Sequence, residues 1–447
     1  MKIFNSYTNR LETFVPHHED IVSMYVCGPT VYNYIHIGNA RPVVVFDTVR
    51  RYFESKGKQV RFVSNFTDVD DKIIQKAQEQ HSDEAAVSGF YIQSFLADVV
   101  ALGAKTDYIQ PRVSQYIPQI ITYIADLVKA GFAYAIDGDV YFRVARISDY
   151  GRLSNRRLDD LIAGARVEVN LKKESPLDFT LWKATETGIR WESPFSCGRP
   201  GWHTECVAMI DNIFGEEIDI HGGGADLLFP HHENEIAQAE ARDHHHVARY
   251  WMHNGRLNLE GESEKMSKSA GSVIFVKDLP GDKLAFRMFL LATHYRAPLN
   301  FSMENLEAYQ KEWARDVKTV VSLHRALDLA CAFDPALPVT DPDITATIAE
   351  FDAAMANDFN TPNALTALNA LLKIINQITR RTPDYGLWNQ ALTAVLMMLD
   401  ILGLSIGLRN LTEADRDLIA RWEQARKAKD FAAADRLRAE LAAKDLI

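Results

Sequence analysis

Two strings far apart in this chain of 447 residues carry the residue types that hold a nucleotide's phosphates. The first is Pro29-Thr30-Val31-Tyr32-Asn33-Tyr34-Ile35-His36-Ile37-Gly38-Asn39 and the second is Lys265-Met266-Ser267-Lys268-Ser269. His36 falls where a loop is predicted to enter a helix. The amides at a helix start and an imidazole can both donate to phosphate oxygens. Gly38 lets the backbone come close to a nucleotide. Lys265 and Lys268, flanked by Gly261 and Gly271, suit a loop that brings ammonium groups to a polyphosphate as charge builds on the leaving group. A histidine in a turn and a solvated basic loop are the bland readings, and neither string is specific alone. Together, in this order and with Cys27 just before the first, they predict activation of a carboxylate by ATP.

A metal constellation is the next feature. His231 and Glu235 lie four apart on a predicted helix and so share one face. Cys206 sits on another predicted helix and Cys27 at a strand end. Two thiols, an imidazole and a carboxylate make a plausible zinc set. The alternative is buried free thiols and a charged helix face, since no C-x-x-C pair is present. Cys197 and Cys331 have no evident histidine or acid partners. The run His244-His245-His246 reads as a solvated surface.

These groups need a frame. Residues 22–26 read as a strand stopped by Cys27-Gly28-Pro29, residues 38–54 as a helix and residues 59–66 as a second strand. Such a unit builds a parallel sheet, and ligands gather at the carboxyl ends of its strands, where Cys27 and Thr67 lie. Residues 84–131 read as helical and 139–144 as a strand. The sheet resumes near Gly201 with a helix through Cys206, a strand at 217–220, and a helix after Pro230. The expected class is α/β: a Rossmann-like parallel-sheet domain split by an insertion and followed by a helical domain. The expected divisions are 1–115 and 201–302 for the two halves, 116–200 for the connective insertion, 303–410 for a helical domain and 411–447 for a short terminal helical module.

Composition excludes other classes. The chain is ordinary in composition for a globular protein, with four cysteines and a net charge of −11. Four cysteines in such a length do not make a disulfide framework, and the acidic balance argues against indiscriminate nucleic-acid binding. No apolar run reaches the length of a membrane span, and no leader peptide is recognised. A cytoplasmic location without membrane contact is expected.

In these strings the chain resembles the cysteinyl-tRNA synthetases, a class I aminoacyl-tRNA synthetase family. The matching stretches include Tyr25-Val26-Cys27-Gly28-Pro29-Thr30, Asn65-Phe66-Thr67-Asp68-Val69-Asp70-Asp71-Lys72, Gly198-Arg199-Pro200-Gly201-Trp202-His203, Phe229-Pro230-His231-His232-Glu233-Asn234-Glu235 and Asp358-Phe359-Asn360-Thr361-Pro362. The resemblance implies zinc on Cys27, Cys206, His231 and Glu235, with ATP contacted by His36, Gly38 and Asn39 from one signature and Lys268 from the other. It implies that His36, Asn39, Lys265 and Lys268 serve the activation step. It implies a cysteine pocket lined by Gly28, Thr67, Trp202 and Asp226, the last facing the ammonium. L-cysteine, ATP with Mg2+, and tRNA(Cys) are the implied partners of a monomer, with residues 303–410 and 411–447 turned to the tRNA. There are departures. Asn39 stands where the family usually has histidine, Phe195 where it usually has tryptophan, and Glu262-Ser263-Glu264 adds a residue before Lys265. Relatives commonly run on past the position of Ile447 through a tail with a tryptophan.

Overall fold

A computed structural model describes residues 1–156, 172–243, 246–259, 273–444 and 446. By contacts it divides into two units. One comprises Met1–Gln310, Ala353–Pro362 and Ile401–Gly403; the other comprises Lys311–Asp352, Asn363–Asp400 and Leu404–Ile447.

The first unit opens with an antiparallel pair, β1 (Lys2–Asn5) and β2 (Arg10–Thr13). Strand β3 (Ile21–Val26), helix α1 (Ile37–Ser55) and strand β4 (Gln59–Ser64) follow. Then come α2 (Asp71–Gln80), α3 (Glu84–Ala101) and α4 (Ile117–Lys129). The sequence-predicted helical run through 84–131 breaks after Ala101, where Gly103 takes a φ of +71°. Ile109 and Arg112 instead pair with Val63 and Phe66 beside β4. The insertion holds an antiparallel sheet of β5 (Ala133–Ile136), β6 (Asp139–Phe142), β7 (Phe179–Ala184) and β8 (Gly198–Pro200). Strand β6 stops at Phe142, short of the sequence expectation, because Val144–Arg146 turns into a 3-10 helix.

The chain then returns through α5 (Trp202–Phe214), β9 (Ile218–Gly224), α6 (Glu233–Asp243) and β10 (Ala248–Asn254). The central sheet runs β10-β9-β3-β4, parallel throughout. Strand β3 therefore has β4 on one side and β9 on the other. This is the topological switch point at which open parallel sheets bind ligands, beyond the strand ends. A short parallel pair, β11 (Leu257–Leu259) and β12 (Leu299–Phe301), and helix α7 (Lys283–Leu291) complete the unit. One core joins the sheet to the insertion: Tyr25, Ile218 and Trp251 pack in the same cluster as Phe142, Leu181 and Trp182. Gly222 is a glycine for a packing reason, since a Cβ there would run into the Phe46 ring of α1.

The second unit is helical, drawing on α8 (Met303–Leu329), α9 (Pro342–Ala356), α10 (Thr361–Ile378), α11 (Tyr385–Ile401), α12 (Glu413–Lys427) and α13 (Phe431–Ala443). Its last two helices close a small core of Leu411, Leu418, Ile419, Leu441 and Leu446, against which Trp422 is partly packed. Among the described residues no helix is long and apolar enough to cross a membrane.

Candidate nucleotide and metal site

Four side chains converge at the switch point. Cys27 follows β3, Cys206 lies in α5, Glu235 in the first turn of α6, and His231 in the π-helical turn before it. Cys27 Sγ is 3.6 Å from Cys206 Sγ and 3.7 Å from Glu235 Oε1. His231 Nε2 is 2.9 Å from the same carboxylate oxygen. One donor atom from each lies within 4.8 Å of all the others. Zinc with bonds of about 2.0–2.3 Å needs donors packed about this closely. The donor chemistry fits as well. Burial and the nearby Cys206 push the Cys27 thiol well up. Its hydrogen bond to Cys27, with help from His231, brings Cys206 down to about 6 despite burial. Two thiols this close resist ionising together, and a divalent cation relieves that repulsion.

A second donor set shares two of these residues: Cys27, His221, His232 and Glu235. His221 is already engaged at both nitrogens, Nε2 at 2.6 Å from Glu235 Oε2 and Nδ1 at 3.2 Å from the Tyr25 carbonyl. It fits the part of an outer partner that orients a ligating carboxylate. His232 Nδ1 meets His253 Nε2 at 2.8 Å, and His203 Nδ1 meets His231 Nδ1 at 3.0 Å. Burial first, then neighbouring imidazoles, bring His203 and His253 each down to about 3. Burial opposes a charge on Glu235, but His221 and His231 together hold its carboxyl well below the ordinary range. Burial also opposes a charge on His231, and Glu235 outweighs it, raising the imidazole to about 10. Sequence reading missed His203, His221, His232 and His253. They sit on α5, β9, the turn before α6 and β10, so no periodicity joins them, although His203 and His232 stand next to residues already singled out.

Of the phosphate-type residues, His36, Gly38 and Asn39 lie along a cavity of about 380 Å³ that Cys27 also lines. His36 is the N-cap of α1. Its backbone N–H donates to Asn39 Oδ1 at 3.3 Å, and the Asn39 N–H donates to the His36 carbonyl at 2.8 Å. Asn39 thus closes the helix start with its amide oxygen, as the third residue of a capping box does. Ile37 donates to the Ile274 carbonyl and Val276 to the Ile35 carbonyl, tying this loop to the segment around Phe275. Gly28, His36, Gly38, Asn39, Trp202 and Asp226 line the cavity together with Cys27. Trp202 is 43 % exposed and stacks on His231 at 4.4 Å, so it is a wall residue and not core. Thr67 is buried and not at the cavity surface. It pairs with the loop in front, donating to the Pro29 carbonyl and accepting from Val31. A Cβ at Gly28 would collide with the Asn65 carbonyl. Lys265 and Lys268 lie outside the described residues, as do Glu262-Ser263-Glu264, His244 and His245.

The family model for the tRNA synthetases class I (C) catalytic domain matches residues 13–311, and that for the DALR domain matches residues 350–406. The chain is 45% identical over 456 residues to a cysteine–tRNA ligase of Anoxybacillus flavithermus, covering 100% of this chain and 97% of that one. It is 46% identical over 456 residues to the cysteine–tRNA ligase of Bacillus cereus, covering 100% and 96%. Among solved structures, Mycobacterium tuberculosis methionyl-tRNA synthetase in complex with methionyl-adenylate superposes with a TM-score of 0.60 at 14% identity, over 86% of this chain and 89% of that one. A ternary complex of LeuRS, tRNA and LeuAMS from Agrobacterium radiobacter K84 gives 0.64 at 10% identity, over 87% and 85%. At such identities the last two speak for the fold alone.

Proposed function

This chain belongs to the cysteine–tRNA ligase family of class I tRNA synthetases, and we propose that it joins L-cysteine to tRNA(Cys) using ATP. One observation carries the reading. A single cavity has Cys27, the least buried member of a four-donor set, at one part of its wall and the amino end of α1 at another. That arrangement supports a reading in which a small thiol substrate and a nucleotide share one enclosure.

In this reading the cysteine carboxylate attacks the α-phosphate of ATP in line, pyrophosphate leaves, and the aminoacyl group passes from the adenylate to the 2′-hydroxyl of the terminal ribose. No protein nucleophile is needed. Position and charge carry the first step. Gly38 admits the phosphates to the backbone, and His36 with Asn39 presents the helix start to them. Asn39 Oδ1 is occupied by the His36 amide, so its Nδ2 is the group turned to the nucleotide. Lys265 and Lys268 take the charge on the departing pyrophosphate, and Mg2+ arrives on the phosphate oxygens. Cys27, Cys206, His231 and Glu235 would hold zinc, which supplies a soft Lewis-acid site for the substrate thiolate and so sets cysteine apart from serine. Asp226 faces the substrate ammonium, Gly28 and Trp202 close the pocket around it, and Thr67 holds its wall from behind. Residues 303–410 and 411–447 serve the tRNA. The protein works as a cytoplasmic monomer.

Cysteine-dependent exchange of pyrophosphate into ATP, followed by charging of tRNA(Cys), tests the reading. Exchange without charging, with transfer of cysteine to an amino sugar instead, would identify a related ligase. Absence of exchange would end both readings.

A further inference from the structure

Arg41 lies on α1 between Asn39 and Pro42, which both line the cavity. Its side chain is fully buried. Nη1 donates to the carbonyls of Gly255 at 2.7 Å and Arg256 at 2.9 Å, and Nη2 donates to the His294 carbonyl at 3.2 Å. Gly255 and Arg256 are themselves cavity-wall residues. Among the described residues no carboxylate pairs with Arg41, and its Nε is buried without a partner. The acid beside His294, Asp358, is taken up by the Tyr295 hydroxyl, Arg296 Nε and the Phe4 amide, each at 2.8 Å. Burial lowers the guanidinium only to about 10, so it stays charged at neutral pH. A buried cation without a counter-ion is costly. Carbonyl dipoles offset part of that cost, and an anion bound across the wall would offset more. Other buried arginines here do not share the feature: Arg51 and Arg287 both pair with Asp47.

We propose that Arg41 is a positioning residue for the nucleotide, fixing the cavity wall at Gly255 and Arg256 and setting behind it a positive charge, paired with no described carboxylate, that favours the triphosphate. The inference rests on the reading that this cavity takes ATP.

The test uses the full chain and its Arg41→Gln and Arg41→Lys variants. Binding of ATP and of adenosine is measured by calorimetry without cysteine, alongside the KM for ATP and for cysteine in pyrophosphate exchange. Arg41→Gln is expected to weaken ATP on the order of tenfold, with adenosine and the KM for cysteine within about twofold of wild type. Arg41→Lys keeps the charge and is expected to recover most of the loss. Equal weakening of ATP and adenosine by Arg41→Gln would overturn the proposal, since the residue would then act only as a scaffold; so would unchanged ATP binding. If Arg41→Gln does not fold, Arg41→Lys decides. Its ratio of ATP to adenosine affinity stays near that of wild type if charge is what matters, and a tenfold fall in that ratio overturns the proposal. Wild-type protein that binds ATP but lacks exchange would defeat the functional reading and leave the binding test of Arg41 intact.

Discussion

Cys27 and Cys206 stand 179 residues apart in the chain, yet their sulfurs lie 3.6 Å from one another. The parallel sheet makes this meeting. Strand β3 ends at Val26, α5 packs against the same core, and the insertion between them folds as its own sheet. Two thiols so placed, with His231 and Glu235 beside them, predict about one equivalent of zinc in the purified protein. The double variant Cys206→Ser/His231→Ala is expected to lose it, as read by metal analysis, and with it discrimination against serine. Full occupancy in that variant would refute the assignment.

The activation step should depend on charge delivered to the pyrophosphate. Lys268→Ala is expected to slow adenylate formation on the order of a hundredfold or more while leaving cysteine affinity near that of wild type. Asn39→Ala removes both the cap to the His36 amide and the Nδ2 donor, and a loss on the order of tenfold in exchange is expected. Exchange kinetics near wild type in Lys268→Ala would remove the role given to that lysine.

Stability has its own buried ionic centre within the first unit. Arg287 Nη2 donates to Asp47 at 2.5 Å and to Thr48 Oγ1 at 3.0 Å, while Arg51 Nε donates to Asp47 at 2.8 Å. Burial opposes ionisation of Asp47, but Arg287 and Arg51 more than offset it, so its carboxyl is depressed below the ordinary range. A depressed carboxylate contributes stability that is present above its unfolded pKa and lost as pH falls through the folded one. Asp47→Asn leaves Arg287 buried without its counter-ion and is expected to cost about 3 kcal/mol at neutral pH. That gap should narrow below about pH 4, where the unfolded chain's carboxylate takes up a proton that the folded one still resists. Denaturant melts at both pH values check it, and a gap independent of pH would contradict the electrostatic origin.

Much of this site was legible because its chemistry is written locally. Cys27 abuts a strand end, His36 a helix start, and His231 stands four residues before Glu235, so residue type and position carried the expectation. The outer histidines were not legible. His221 and His253 come from neighbouring parallel strands, and their proximity is a property of sheet order, which no local spacing encodes. The break at Gly103 was missed for a related reason. Residues 108–112 leave the helical pattern to pair beside β4, and that preference belongs to the strand's open edge and not to the segment itself. In the sequence Asn39 reads as standing where the family usually has histidine, and only its bond to the His36 amide gives it a second task.

The terminal helices α12 and α13 should serve tRNA and not activation. Trp422 is partly packed on the small core of Leu418, Ile419 and Leu441, with the Arg426 guanidinium 4.8 Å from its ring, so much of its surface is committed to structure. Phe431 at the start of α13 is 75 % exposed, which makes it the better surface for an unpaired base. Lys427, Lys429, Arg436 and Arg438 are exposed on these two helices and the turn that joins them. Basic groups hold phosphates and an aromatic stacks a base. Removing the whole segment would also remove its core, so substitutions give the cleaner test. Lys427→Gln/Lys429→Gln is expected to raise the KM for tRNA(Cys) on the order of tenfold and to flatten its salt dependence. Phe431→Ala is expected to raise that KM on the order of fivefold with little change in salt dependence. Cysteine-dependent pyrophosphate exchange is the control, because these residues belong to the second unit and the cavity to the first. Unchanged charging in both variants, or a parallel fall in exchange by a protein that still melts cooperatively, would show that these helices do not divide the labour this way.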